Sequence, residues 1–205
     1  MKLLCIEGNI AAGKTSLVSL LKQVFLGDER VVFLTEEVDE WMREGLLSSM
    51  YNGRLSGAGF QQVVMSSIVA QLVKCQPLAP SLIVQERSLQ AGMEVFARAN
   101  VPDECELQAL QYSCDKLLDA LRVDAEFVYL RLDADELHAR CRRRARESEE
   151  CVSVGYLRRL NDLHDDWLLK KRGGVTVLDA RADLQSCGDA VCDIIRSLLL
   201  HEERP

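Results

Sequence analysis

A chain of 205 residues, 48% hydrophobic and 28% charged, is long and apolar enough to bury a sizeable core, which excludes an intrinsically disordered segment. Its formal net charge of -7 excludes a surface that coats nucleic acid, because phosphate binding by a whole protein face needs a basic stripe; any basic site is therefore local. Eight scattered cysteines form no C-x-x-C pair and no zinc-like spacing with the three histidines, the pattern of reduced thiols in an intracellular protein.

Met1 is followed almost at once by the first apolar run, and no run reaches membrane-spanning length. The expectation is a cytoplasmic protein with no membrane or nucleic-acid partner. Alternating elements follow along the chain, the signature of a parallel sheet covered by helices on both faces. KLLCIEG predicts a buried strand, KTSLVSLLKQVF a helix with apolar residues at helical spacing, and RVVFLTEE a second strand ending in carboxylates. FQQVVMSSIVAQLVKC is helical in pattern, and PSLIVQERS is a third strand with charged residues at its carboxyl end. DECELQALQYSCDKLLDAL predicts a helix, AEFVYLRLDAD a fourth strand, DELHARCRRRAR and VGYLRRLNDLHDDWLLKK two more helices, and GGVTVLDAR the fifth strand. A final helix after Ala182 carries Cys187 and Cys192 as buried thiols. With no internal repeat and no linker, residues 1–205 read as one domain of α/β class with five parallel strands.

Between the first strand and the first helix, Gly8, Gly13, Lys14 and Thr15 match G-x-x-x-x-G-K-[ST] in the context that this P-loop motif requires. Its glycines let backbone N–H groups converge on phosphate oxygens, and the helix N-terminus adds partial positive charge. The candidate phosphate cradle is Gly8, Asn9, Ile10, Ala11, Ala12, Gly13, Lys14, Thr15 and Ser16. Lys14 is expected on the β- and γ-phosphates and Thr15 on Mg²⁺, so the turn predicts a bound nucleoside triphosphate.

In open α/β sheets ligands gather at the carboxyl ends of the strands. LTEEVDEW supplies Glu36 and Glu37 at one such end, either as a general base for phosphoryl transfer or as solvated acids that begin a helix. LIVQERS supplies Glu86, suited to holding Mg²⁺, and Arg87, suited to bracing the base or the reacting oxygen; a surface ion pair is the plainer alternative. Arg140, Arg142, Arg143, Arg144 and Arg146 crowd into seven residues of ARCRRRARESEE. Neighbouring cations repel until an anion arrives, which fits an arginine-rich lid at about 140–150 closing over a triphosphate better than a solvated helix or an RNA contact.

In this order, IEGNIAAGKTS, LTEEVDEW, FQQ, ERS, RARESEECV and YLRRLNDLHDDWL resemble successive motifs of the deoxynucleoside kinase family, from residue 5 to about 170. That resemblance implies ATP and a deoxynucleoside as substrates, Mg²⁺ as cofactor, and a homodimer of packed helices. It makes Glu36 the base that takes the 5′-hydroxyl proton, Arg87 its support and Glu86 the acid near the metal. Gln61 then reads the base edge, between Phe60, Phe96 and Trp41. Tyr51 and Glu149 hold the sugar 3′-hydroxyl, and Arg142, Arg144 and Arg146 hold the phosphates. Val64, Ile68 and Gly92 correspond to the pocket floor, where purine-preferring members carry an arginine and an aspartate. Both charges are missing, so pyrimidines, thymidine and deoxycytidine, are the expected acceptors.

Two residues depart from the family pattern: Glu37 follows Glu36 where proline is usual, and Glu147 stands where a neutral residue is usual. A nucleoside monophosphate kinase of the thymidylate type is the alternative enzyme, but it calls for a cation rather than Glu36 at the second strand end. A non-catalytic nucleotide switch is the alternative from another class, although no N-K-x-D or D-x-x-G motif appears.

Overall fold

A computed structural model describes residues 1–146, 152–172 and 174–202. Strand β1 (Lys2–Gly8) alternates its side chains between two cores, with Leu3 and Cys5 in one and Leu4 and Ile6 in the other. Such a strand, apolar on both sides, must lie between layers. β3 (Leu82–Glu86) and β4 (Asp124–Arg131) flank it, while β2 (Val31–Leu34) and β5 (Thr176–Asp179) complete an all-parallel sheet of order β2-β3-β1-β4-β5. The five strands stand where the sequence pattern expects them.

Helices α1 (Lys14–Val24), α8 (Ala134–Arg144) and α10 (Leu184–Glu202) contribute to one core, and α4 (Gly57–Cys75) and α7 (Glu104–Leu121) to the other. In α4 the buried Phe60, Val64, Ile68 and Leu72 recur every fourth residue and form one apolar face. Its N-terminus is fixed twice. Ser56 caps it by accepting from Gly59 N at 3.0 Å, and Gly57 lies so near Asn100 that an added Cβ would stand 2.2 Å from the Asn100 carbonyl oxygen. Cys187 and Cys192 of α10 are buried in the core shared with α1, as expected of inert thiols.

The segments that enclose the carboxyl edge are less regular. α2 (Val38–Arg43) and α3 (Leu46–Tyr51) are two-turn helices held by burial of Trp41 and Leu47. After β3 the chain passes through α5 (Leu89–Ala91), a π-helical stretch Gly92–Ala97 and α6 (Arg98–Asn100). The helix expected from VGYLRRLNDLHDDWLLKK is α9 (Val154–His164) followed by π-helical Asp165–Arg172. A π-turn adds one residue per turn, which a count of 3.6-residue periods does not register. Among the described residues no helix is long and apolar enough to cross a membrane.

Candidate functional site

The strand register pairs Ile6 with both Glu86 and Val128, so the ends of β1 and β3 emerge side by side. There the chain turns sharply. Gly8 has φ 146°, and an added Cβ would lie 2.7 Å from the Leu130 carbonyl oxygen, so no larger residue fits without moving β4. Asn9 braces the turn from below: its amide donates to Leu157 O at 2.8 Å and to Asn161 Oδ1 at 2.7 Å, and its Oδ1 accepts from Ile10 N at 2.7 Å. Lys14 is buried, with Nζ donating to Asn9 O at 2.9 Å. Burial, then the nearby Arg87 cation, pulls its pKa down to about 8.

Beside the loop, Thr15 Oγ1 donates to Glu86 Oε1 at 2.7 Å. Burial and the neighbouring Glu36 carboxylate raise the Glu86 pKa. A hydroxyl and a carboxylate are hard oxygen donors, and no cluster of three or more His, Cys, Asp or Glu among the described residues forms a metal cage. This set fits magnesium, which keeps much of its shell from water and phosphate rather than from protein.

Arg87 follows directly, and its backbone has φ 62°, left-handed for a non-glycine residue. Such a conformation costs about 1–3 kcal/mol and persists only where surroundings enforce it. Here Arg87 N donates to Ile6 O at 3.1 Å, Ser88 N donates to Glu7 Oε1 at 2.9 Å, and Ser88 Oγ caps α5 through Ala91 N at 3.1 Å. The result aims the side chain inward. Arg87 Nε donates to Glu36 Oε1 at 2.6 Å, with side-chain exposures of 6% and 12%, and the guanidinium carbon lies 4.2 Å over the Phe96 ring. Burial opposes the charge on Arg87, yet the Glu36 and Glu7 carboxylates outweigh it and hold its pKa above the ordinary value. Glu36 is therefore neither a solvated acid nor a helix cap; Glu37 takes the N-cap position of α2, without a side-chain capping bond.

A cavity of about 480 Å³ joins these groups. Ile10, Ala11, Gly13, Lys14, Thr15, Ser16, Glu36, Glu86 and Arg87 line one part of it, and Trp41, Tyr51, Phe60, Gln61, Val64 and Phe96 line another. Trp41 and Phe60 meet edge to face at 5.7 Å, and Trp41 Nε1 donates to Ser67 Oγ at 3.1 Å. Gln61 is buried, and its Oε1 has no hydrogen-bond partner among the described residues. An unsatisfied amide oxygen beside a cavity is a costly arrangement unless a ligand completes it.

Several predicted residues lie elsewhere. Ile68 is buried in the core one turn beyond Val64, and Gly92 sits behind Gln61, where an added Cβ would come within 3.4 Å of Oε1; neither lines the cavity. Gly8 and Ala12 shape the loop without lining the cavity. Of the arginines, Arg140, Arg144 and Arg146 line it, whereas Arg142 is exposed and does not. The reason is helical spacing: Arg140 and Arg144 share a face of α8 four residues apart, and Arg142 lies on the opposite side. Glu149 and most of the lid region beyond Arg146 fall outside the described residues.

Val38, Leu47, Met50, Asn100 and Tyr156 also line the cavity, without a motif in the sequence to mark them. Arg140, undistinguished within the arginine cluster, braces the loop: Nη1 donates to Ala12 O at 3.2 Å and Nη2 to Ala180 O at 2.7 Å. The apolar residues carry no signal separable from core packing. Arg140 had one, its position four residues before Arg144.

The family model for deoxynucleoside kinases matches residues 4–199. The chain is 28% identical over 176 residues to human thymidine kinase 2, mitochondrial, an alignment covering 82% of this chain and 64% of that protein. It is 28% identical over 195 residues to the thymidine kinase of Ictalurid herpesvirus 1, covering 93% and 84% respectively. Against deoxycytidine kinase of Bos taurus it is 26% identical over 241 residues, covering 97% and 91%.

Proposed function

We propose that this chain, which belongs to the deoxynucleoside kinase family, transfers the γ-phosphoryl group of ATP to the 5′-hydroxyl of a deoxynucleoside. The carrying observation is the buried Glu36–Arg87 pair, in one cavity with the phosphate loop and an aromatic-walled chamber holding the Gln61 amide. A flat base between Phe60, Phe96 and Trp41 would complete Gln61, whose amide can both accept from a ring N–H and donate to a neighbouring ring acceptor. Tyr51, and with it Glu149, is assigned to the sugar.

Glu36 accepts the proton of the 5′-hydroxyl as the new O–P bond forms, and the bond from the γ-phosphorus to the β-phosphate oxygen breaks to release ADP. Arg87 orients Glu36 and shares charge with the reacting oxygens. Lys14 and the backbone N–H groups of residues 10–16 hold the triphosphate, aided by Arg144 and Arg146. Thr15 and Glu86 are the residues that would hold Mg²⁺, which when bound neutralises phosphate charge. The supply of positive charge is concentrated where an anionic transition state needs it, in a chain that is otherwise acidic.

Pyrimidine preference belongs to the same reading. Val64 and Phe60 give the chamber an apolar wall, and neither Ile68 nor Gly92 supplies a charge for a purine. A homodimer is also part of it, as the family resemblance implies; sedimentation should give twice the single-chain mass.

The test is ADP release with ATP and Mg²⁺ against thymidine, deoxycytidine, deoxyguanosine and thymidine monophosphate, for the intact protein and Glu36→Gln. Turnover on the pyrimidine nucleosides that drops about 10²–10⁴-fold in the variant supports the reading. Turnover on thymidine monophosphate alone would replace it with a monophosphate kinase, and no stimulation by any acceptor would leave a nucleotide-binding switch.

A further inference from the structure

Beneath the Glu36–Arg87 pair lie three fully or nearly fully buried polar atoms without a hydrogen-bond partner among the described residues: Glu7 Oε2, Arg87 Nη1 and His164 Nε2. They belong to one closed circuit of contacts. Glu7 pairs with Tyr129 across β1 and β4, and the Tyr129 ring stacks on His164 at 5.6 Å and 7°. His164 meets Phe96 edge-on at 6.2 Å, Arg87 lies over Phe96 at 4.2 Å, and Ser88 N returns the circuit to Glu7 Oε1 at 2.9 Å. In the structure none of these three atoms hydrogen-bonds another, while Glu7 Oε1 accepts from Ser88 N and His164 Nδ1 faces Leu160 O at 2.8 Å, so Nδ1 carries the proton and Nε2 is an acceptor.

Burial raises the Glu7 pKa, opposed by the Arg87 and Lys14 cations and the Ser88 hydrogen bond; with the carboxylate ionised, the unpaired set is one donor, on Arg87, and two acceptors, on Glu7 and His164. A water molecule has the complementary inventory, two hydrogens to give and a lone pair to receive, and buried waters typically make about three hydrogen bonds. We infer that Glu7 and His164 are positioning residues, which hold Arg87 against Glu36 through one shared internal water. Arg87 would then be fixed from both sides, by Glu36 at Nε and by this water at Nη1. The catalytic consequence rests on the kinase reading above; the hydrogen-bond geometry does not.

The experiment separates the two. In ¹⁵N-labelled protein without substrates, the Arg87 Nε–H resonance, assigned by its loss in Arg87→Lys, should be shifted downfield and slow to exchange because of the bond to Glu36. Glu7→Gln keeps the shape and the Ser88 contact but replaces an acceptor with a donor, so protection of that proton should fall about tenfold or more, while the thermal midpoint stays within a few degrees. kcat should fall about ten- to hundredfold with little change in either KM, the pattern of a misplaced group rather than lost binding. His164→Phe, which retains the ring stack and removes the acceptor, gives the same signature and serves if Glu7→Gln does not fold. An unchanged Arg87 resonance in both variants, or a crystal structure at high resolution with no water bridging the three atoms, overturns the inference. An altered resonance in a protein that phosphorylates no nucleoside would uphold it and reject the kinase reading instead.

Discussion

Arg87 carries three loads at once: its Nε binds Glu36, its guanidinium face covers Phe96, and its backbone sits at φ 62°. A lysine has a point charge instead of a planar fork and cannot meet the first two together. Arg87→Lys should therefore lower kcat about 10²-fold or more in steady-state assays while leaving the protein folded. His164 supplies a pH prediction. Burial, helped by the Arg87 cation, pushes its pKa down to about 3, whereas in the unfolded chain it titrates near 6.5. Between these values the unfolded state binds more protons, so this contribution to stability is complete above about pH 6.5 and is lost below it at about 1.4 kcal/mol per pH unit. Urea unfolding at pH 5 should show about 2 kcal/mol less stability from this group than at pH 7, a difference that shrinks in His164→Phe. Glu36, Glu86, Lys14 and Thr15 were legible in the sequence because a strand end followed by polar groups marks the carboxyl edge. Glu7 and His164 were not, since a buried acid inside a strand and a histidine inside a helix look alike in the chain whatever they pack against.

At the level of elements, α8 shows how periodicity sorts a cluster that composition leaves undivided. Five arginines within seven residues look equivalent along the chain, but the helix gives Arg140 and Arg144 to the cavity and Arg142 to the exterior. Arg144→Gln should raise the KM for ATP several-fold more than Arg142→Gln does, as measured at saturating nucleoside, because an interaction across solvent is largely screened. The loops and short helices between β2 and α4 are the opposite case. Trp41, Leu47 and Tyr51 reach the cavity through helices of six residues each, too short to stand without tertiary packing. Phe96 is presented from a π-helical stretch whose wider turn no periodic count anticipates.

For the whole molecule, the order β2-β3-β1-β4-β5 gathers the phosphate loop, the Glu86–Arg87 turn and Glu36 at one edge, while two separate cores keep the sheet rigid behind them. A ligand filling a preformed cavity of this kind stabilises the folded state by mass action. Thymidine at about 100 times its Kd should contribute about 2.7 kcal/mol. At roughly 2–4 °C per kcal/mol for a chain of this size, the thermal midpoint should rise by about 5–11 °C. Deoxyguanosine at equal concentration should raise it less if the apolar chamber favours pyrimidines.

The strands, their parallel arrangement and the motif residues could be read along the chain, because burial on both faces writes continuous apolar runs and a phosphate loop needs particular glycines, a lysine and a hydroxyl at fixed spacing. Folding alone brings Glu36 to Arg87 across 51 positions, puts Gln61 in one cavity with Phe96, and leaves Ile68, Gly92 and Arg142 outside it. Those outcomes depend on strand register and helix rotation, which bring distant residues within hydrogen-bond reach and leave no local trace in the chain.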